Sequence, residues 1–416
     1  MRVLLSTVGT RGEVQPVVAV AACLRDSGHD AVVCAPPDFR TWVESLGIRF
    51  VPVGPELRGT AAQGERVPPS PEQRQQMIDG TVAAQFAAVA EAADGCDVIV
   101  GGGALAIAAH SVAEHRGIGY VYASFCPVTL PSAHHAPPVY GMLGQEPAGG
   151  TVDNSSLWEE DARRWNLMWR TPIDSRRAEL GLPPVPDVRD HIFTTTPWLA
   201  ADPTLAPWPG PADQDVYQTG AWILPDDRPL DPELEAFLDA GESPVYLGFG
   251  SIRAPGDITA TVVAAARALG RRTIVSRGWT GLALVDGAPD CLAIGEVNQQ
   301  ALFPRVAAVV HHGGAGTTTA AAAAGAPQVV VPQVYDQFYF ARRVDQLGIG
   351  SAHRDGDSLH AALARALEPE VAANARTVAR AVRTDGARVA AHRLVTTGWT
   401  PENTRWSSSD AHPVVE

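Results

Sequence analysis

Short runs of β-branched and small apolar residues alternate with alanine-rich stretches along almost the whole chain, and they do so in two series. Alternation of this kind builds parallel sheets covered by helices, the α/β class. In the first series the strand candidates are residues 3–6, 31–34, 97–101 and 120–124, with helical windows at 17–27, closed by Gly28, and 82–93. Residues 198–232 break the texture. Seven prolines fall between Pro203 and Pro232 among scattered charges, which predicts a linker. The second series opens at Pro244-Val245-Tyr246-Leu247-Gly248-Phe249-Gly250-Ser251 and continues at 272–276, 291–295, 307–311 and 328–331. At about 150 residues per domain the chain has room for two to three domains, and the two series supply two of them. The Pro- and Gly-rich pieces 54–76 and 127–154 read as long loops, which on such scaffolds carry binding function.

Composition removes several classes of function. The 32 basic and 46 acidic residues leave a net charge of −14, and no basic block favours nucleic acid or an anionic membrane. Every basic residue is an arginine. Without lysine there is no Schiff-base chemistry and no phosphate-binding P-loop. Cys23, Cys34, Cys96, Cys126 and Cys291 are scattered and odd in number, as expected of buried thiols in a reducing compartment. No run approaches the ~18 apolar residues of a membrane span, and Met1-Arg2-Val3-Leu4-Leu5 is too short for a signal peptide. A soluble cytoplasmic protein is expected, with a monomer as the default.

In doubly wound sheets ligands bind beyond the carboxyl ends of the strands. The five strand candidates of the second half run out into Gly250-Ser251, Arg277-Gly278-Trp279, Glu296-Val297-Asn298-Gln299, His312-Gly313-Gly314-Ala315-Gly316-Thr317-Thr318, and Pro332-Gln333 leading to Asp336-Gln337. One rim fed by so many small, hydroxyl and polar groups suits a phosphate-bearing ligand. Glycines 313, 314 and 316 admit close approach of backbone amides, the following helix offers its N-terminus, and His312 and Thr317 add donors. The alternative is a plain strand–helix turn capped by Thr317 or Thr318. Asp336-Gln337 offers acceptors and donors for vicinal hydroxyls, or else an N-cap for the helix running to Leu347. In the first half Glu13 stands at the start of the first helix, facing the cleft, where it can act as a general base. Thr10-x-x-Glu13 also matches a capping box, a reading that Pro16 weakens. Both readings stay open. Asp355-Gly356-Asp357 reads as a turn with an N-cap, and the pairs His134-His135 and His110/His115 lack zinc-ligand spacing, so no metal site is assigned.

These residues resemble the GT-B nucleotide-sugar glycosyltransferases, most closely the bacterial enzymes that decorate vancomycin- and teicoplanin-type glycopeptide antibiotics. The likeness runs through residues 1–16, Cys34-Ala35-Pro36-Pro37, Phe125-Cys126-Pro127, Pro131-Ser132-Ala133-His134-His135, Trp198-Leu199-Ala200-Ala201-Asp202-Pro203, Gln218-Thr219-Gly220-Ala221-Trp222 and 276–279. It implies two facing Rossmann-like domains with parallel sheets, an acceptor domain at 1–210 and a nucleotide-sugar domain at 211–383. A C-terminal crossover helix within 384–400 would pack on the first domain, followed by a polar tail at 401–416. It further implies inverting, metal-independent transfer from a TDP- or UDP-sugar, a co-substrate and not a cofactor, to a hydroxyl of a glycopeptide aglycone or pseudoaglycone. Carried over by position, the Val297 backbone would hold the base, Gln299 the ribose, and Ser251, His312, Gly316 and Thr317 the diphosphate. Asp336 and Gln337 would hold the sugar, Trp279 would wall the base pocket, and Thr10 and Gly314 would lie beside the donor. One departure stands out: the base of such enzymes is usually aspartate, whereas this chain has Glu13. Macrolide, polyketide or sterol-like acceptors, a non-catalytic nucleotide-sugar binder and a sugar-nucleotide 2-epimerase are the alternatives.

Overall fold

A computed structural model describes residues 1–61, 70–139, 152–210, 215–354 and 356–399. The first half forms one parallel sheet of seven strands: β1 (Arg2–Thr7), β2 (Asp30–Ala35), β3 (Arg49–Pro52), β4 (Val98–Gly102), β5 (Gly119–Ser124), β6 (Trp198–Leu199) and β7 (Tyr217–Gln218), in the order β3-β2-β1-β4-β5-β6-β7. Leu5 is flanked by Val33 and Val100 in register, and Val3, Leu4 and Leu5 are all fully buried. A strand covered on both faces needs such an unbroken apolar run.

The second half forms a six-stranded parallel sheet: β8 (Val245–Gly248), β9 (Thr273–Ser276), β10 (Cys291–Ile294), β11 (Ala308–His311), β12 (Gln328–Val330) and β13 (Gly350–Ala352), in the order β10-β9-β8-β11-β12-β13. In each sheet the strand order reverses beside the first strand, which opens a crevice at the carboxyl ends.

The helices that matter for the site are α1 (Arg11–Asp26), α2 (Pro71–Ala92), α3 (Asn154–Glu179), α4 (Ala315–Ala323), α5 (Gln337–Gln346) and α6 (Gly386–Thr396). Helix α1 runs through Pro16 because the bond lost there would fall on the carbonyl of exposed Gly12, within reach of water. Helix α6 returns to the first half. Its Ala387, Ala390, Ala391 and Leu394 join Val14, Val17 and Val18 of α1 in one buried cluster.

Four strands escape the sequence reading: β3, β6, β7 and β13. The piece read as a linker contributes β6 and β7, so the first sheet extends to Gln218. Proline density misleads there, because strands of only two residues have no periodicity to detect. The loop expected at 54–76 holds a short helix, Arg58–Ala61, and the first turn of α2. Residues 62–69 lie outside the described set, as do 140–151 of the second expected loop and the tail from 401. The turn expected at 355–357 leads into the helix Leu359–Ala366, whose cap is Ser358, while Asp357 accepts from the Arg354 amide; Asp355 is outside the described residues.

The two halves are joined by more than chain connectivity. Arg343 of α5 donates to the carbonyls of Leu205 (2.8 Å) and Thr204 (3.1 Å). Leu205 and Ala206 share one apolar cluster with Phe340, Ala341 and Val344. Where the chain crosses between the halves and back, Gly220 and Gly386 lie backbone to backbone; a Cβ on Gly386 would stand 2.4 Å from the Gly220 carbonyl carbon.

Candidate active site

All six strands of the second sheet are parallel, so their carboxyl ends open on one rim. After β8 the chain turns through Gly250 and Ser251. The Gly250 carbonyl accepts from the Trp279 amide at 2.9 Å, which ties this turn to the one after β9. Gly278 lies between them with φ +55°, and a Cβ there would meet the Gly250 oxygen at 2.4 Å. Only glycine fits.

The two adjacent histidines have different surroundings. His311 is fully buried; its Nδ1 accepts from the Gly313 amide (3.1 Å), so its Nε2–H donates to Gln328 Oε1 (2.9 Å). It is a satisfied core histidine. His312 lies at the start of α4, so close that a Cβ on Gly314 would stand 2.5 Å from its Nε2. Its Nδ1 is buried without a hydrogen-bond partner. Burial pushes its pKa down to about 4, so the ring is a neutral donor and acceptor at neutral pH. Gly314 is the N-cap of α4 and no side chain caps the helix; the Thr318 and Thr319 hydroxyls bond back to the Gly314 and Ala315 carbonyls. The first turn, with exposed Gly316 and partly exposed Thr317, presents a helix dipole and first-turn amides of the kind that suit an anion.

Asp336 occupies the N-cap position of α5 but makes no side-chain capping bond. Burial, then the charge of Glu13, pushes its pKa up to about 7. Gln337 is buried, and its Oε1 accepts from the amides of Gln333 (2.9 Å) and Val334 (3.2 Å), so it shapes the loop that presents Asp336. Within that loop Tyr335 has φ +53°, a strained conformation for a bulky residue.

Glu13 comes to this rim from the first half. Its Oε2 accepts from the Thr10 amide (2.7 Å) and the Thr10 hydroxyl (3.1 Å). Burial raises its pKa, and the Thr10 bonds oppose that. The helix-start contact and the cleft position therefore hold together. Thr10, expected beside the donor, directs both its donors at Glu13.

Val297 packs partly buried on the apolar cluster beneath β10, and Gln299 neighbours the buried Tyr246 hydroxyl. Between them Asn298, which the sequence reading did not single out, donates to the Asp226 (2.6 Å) and Arg228 (2.8 Å) carbonyls and accepts from the Ala301 amide (3.0 Å). Also missed was an ion-pair cluster that closes one side of the cleft: Glu296 lies 3.5 Å from both Arg11 and Arg58, a contact with no local sequence signal. Trp279, expected to wall the base pocket, packs on Phe39 with ring centroids 5.9 Å apart. Among the described residues no group of three or more His, Cys, Asp or Glu is placed to hold a metal ion, and no helix is long and apolar enough to cross a membrane.

Residues 3–135 match the glycosyltransferase family 28 N-terminal domain, and residues 262–392 match the erythromycin biosynthesis protein CIII-like C-terminal domain. The solved glycosyltransferase VinC in complex with dTDP has the same fold, with a TM-score of 0.65 at 23% identity over 94% of this chain and 100% of that one. Two parallel Rossmann-like sheets facing one cleft, with that family match, define a glycosyltransferase of the GT-B fold. The chain belongs to the family 28, EryCIII-like natural-product glycosyltransferases: it is 52% identical to glycosyltransferase GtfE of Amycolatopsis orientalis over 95% of this chain and 97% of the relative. It is 50% identical to the vancomycin aglycone glucosyltransferase of the same organism, with the same coverage.

Proposed function

We propose that the protein transfers a sugar from a TDP- or UDP-sugar to a hydroxyl of a glycopeptide-antibiotic aglycone or pseudoaglycone, with inversion and without a metal, as a cytoplasmic monomer. The observation that carries the chemistry is the Glu13 carboxylate, recessed at the first domain's rim within electrostatic reach of Asp336 on the second. The likeness to the vancomycin aglycone glucosyltransferase supports the acceptor class, and the fold shared with a dTDP-bound glycosyltransferase supports the donor class.

In this reading Glu13 takes the proton of the acceptor hydroxyl as its oxygen bonds to the anomeric carbon. The bond from that carbon to the diphosphate oxygen breaks, and its electron pair leaves with the nucleoside diphosphate. The charge that develops there is met by His312, Thr317, Ser251 and the amides around Gly314 and Gly316 at the start of α4. Asp336 and Gln337 hold the sugar hydroxyls, while Val297, Gln299 and Trp279 hold the nucleoside. Mass-spectrometric assay of TDP- and UDP-sugars with glycopeptide aglycones tests the reading, with wild type and Glu13→Gln side by side. One added sugar, with the variant down by roughly 10²-fold or more, is the expected result. Equal turnover by both proteins removes Glu13 from the mechanism, and donor binding with no transfer to any aglycone overturns the acceptor class.

A further inference from the structure

We infer that Gly9 and Thr10 form a clamp that fixes the Glu13 carboxylate in one place. The inference rests on the reading of Glu13 as the base.

A glutamate has one more rotatable bond than an aspartate, and catalysis is sensitive to displacements of about 1 Å. A free glutamate at the first turn of a helix would sample several positions. Here the side chain has little freedom. A Cβ on Gly9 would lie 2.7 Å from Glu13 Cγ, 2.7 Å from Oε2 and 2.8 Å from Cδ, so the end of the glutamate lies on the bare Cα of Gly9. Gly103, with φ +79°, is a further neighbour; a Cβ there would stand 4.0 Å from Glu13 Cγ. The Thr10 amide (2.7 Å) and hydroxyl (3.1 Å) both bond Oε2. Two donors on the same oxygen distinguish the two ends of the carboxylate. Oε2 is tied to the protein, and the acceptor proton passes to Oε1. Thr10 is thus a positioning residue that acts through Glu13.

The test compares wild type with Thr10→Val, Thr10→Ser, Glu13→Gln and the double variant Thr10→Val/Glu13→Gln. Two measurements need no acceptor. Calorimetry with TDP reads the donor site, and 13C NMR of the Glu13 carboxyl reads its titration. The clamp predicts unchanged TDP affinity in Thr10→Val, with Glu13 titrating at higher pH because a bond to its charged form is gone. Thr10→Ser should restore the wild-type titration. In turnover, Thr10→Val should lower kcat by roughly 10-fold or more, the scale of a hydrogen bond to a charged group, and shift the acid limb of the pH profile upward. It should cost nothing further on the Glu13→Gln background. Weaker TDP binding by Thr10→Val with an unmoved Glu13 titration would overturn the clamp and return Thr10 to the donor. Wild-type turnover by Glu13→Gln would instead overturn the base reading, whatever the titrations show.

Discussion

Arg11 and Glu296 meet across the cleft at 3.5 Å, and the same carboxylate reaches Arg58 at 3.5 Å. Glu296 is 57% exposed, so each pair contributes little to stability, on the order of 0–1 kcal/mol. Their position matters more than their strength, because the next residue is Val297. Glu296→Gln is expected to leave the melting temperature within about 2 °C. Wild type is expected to show a salt dependence of the donor KM that this variant lacks. Kinetics at low and high salt check this, and an equal salt effect in both proteins would count against it.

His312 is neutral through the physiological range, since burial holds its pKa at about 4. In the proposed transfer it acts as a hydrogen-bond donor, with no titration near neutrality. His312→Ala should therefore lower kcat/KM by about 10²–10³-fold, the cost of one donor to a developing anion. The deficit should be the same from about pH 6 to about pH 9, a range over which a ring with so low a pKa does not change charge. A deficit that grows toward acid would mean that the ring is charged when it acts.

Stability should fall on the acid side. Burial pushes His135 and His312 down to about 4, His191 to about 2 and His311 to about 3. In the unfolded chain these rings take protons near about pH 6.5. As pH falls from about 6.5 toward about 4 the unfolded state thus binds more protons, and stability is lost. Asp336 acts in the opposite sense: its pKa, about 7, makes its native form hold a proton that the unfolded chain releases, so its contribution is lost as pH rises. Glu13, also raised by burial, acts with it. Asp161, raised to about 6 by burial, joins these two carboxyls, and His110, lowered by burial, joins the four imidazoles, so three carboxyls oppose five imidazoles. The urea midpoint should drop steadily from about pH 6.5 downward, and a flat midpoint would contradict the assignment. His311→Gln should flatten the slope.

Gly278→Ala places a methyl against the Gly250 carbonyl in a backbone region hostile to side chains. A loss of about 1–3 kcal/mol is expected, together with weaker TDP binding, because the Trp279–Gly250 bond joins two loops of the rim. Thermal unfolding and calorimetry would measure both. Unchanged TDP affinity would separate Trp279 from the donor site.

The central strands were legible because their burial on both faces demands unbroken apolar runs, as in Val98-Ile99-Val100. Edge strands such as Arg49–Pro52 and Gly350–Ala352 are too short to carry a pattern. The rim beyond the strand ends of the second sheet was legible for a related reason: strand ends are fixed points of the sequence, and polar or glycine residues there stand out. Glu13 was ambiguous locally because a glutamate three residues after a threonine serves a helix start and a cleft equally well, and here it does both. The Arg11–Glu296–Arg58 contact had no local signal, since it exists only once two domains meet.

The packing of α6 on α1 has a consequence for engineering. The apolar stripe of α1 is covered by residues from the far end of the chain, as the cluster of Val14, Val17 and Val18 with Ala387 and Leu394 makes plain. A chimera that exchanges first halves at the proline-rich crossing alone would lay a foreign helix on that stripe. The transplantable piece is discontinuous: the first sheet through Gln218 travels with 386–396, and Gly220 and Gly386 mark the two adjacent seams.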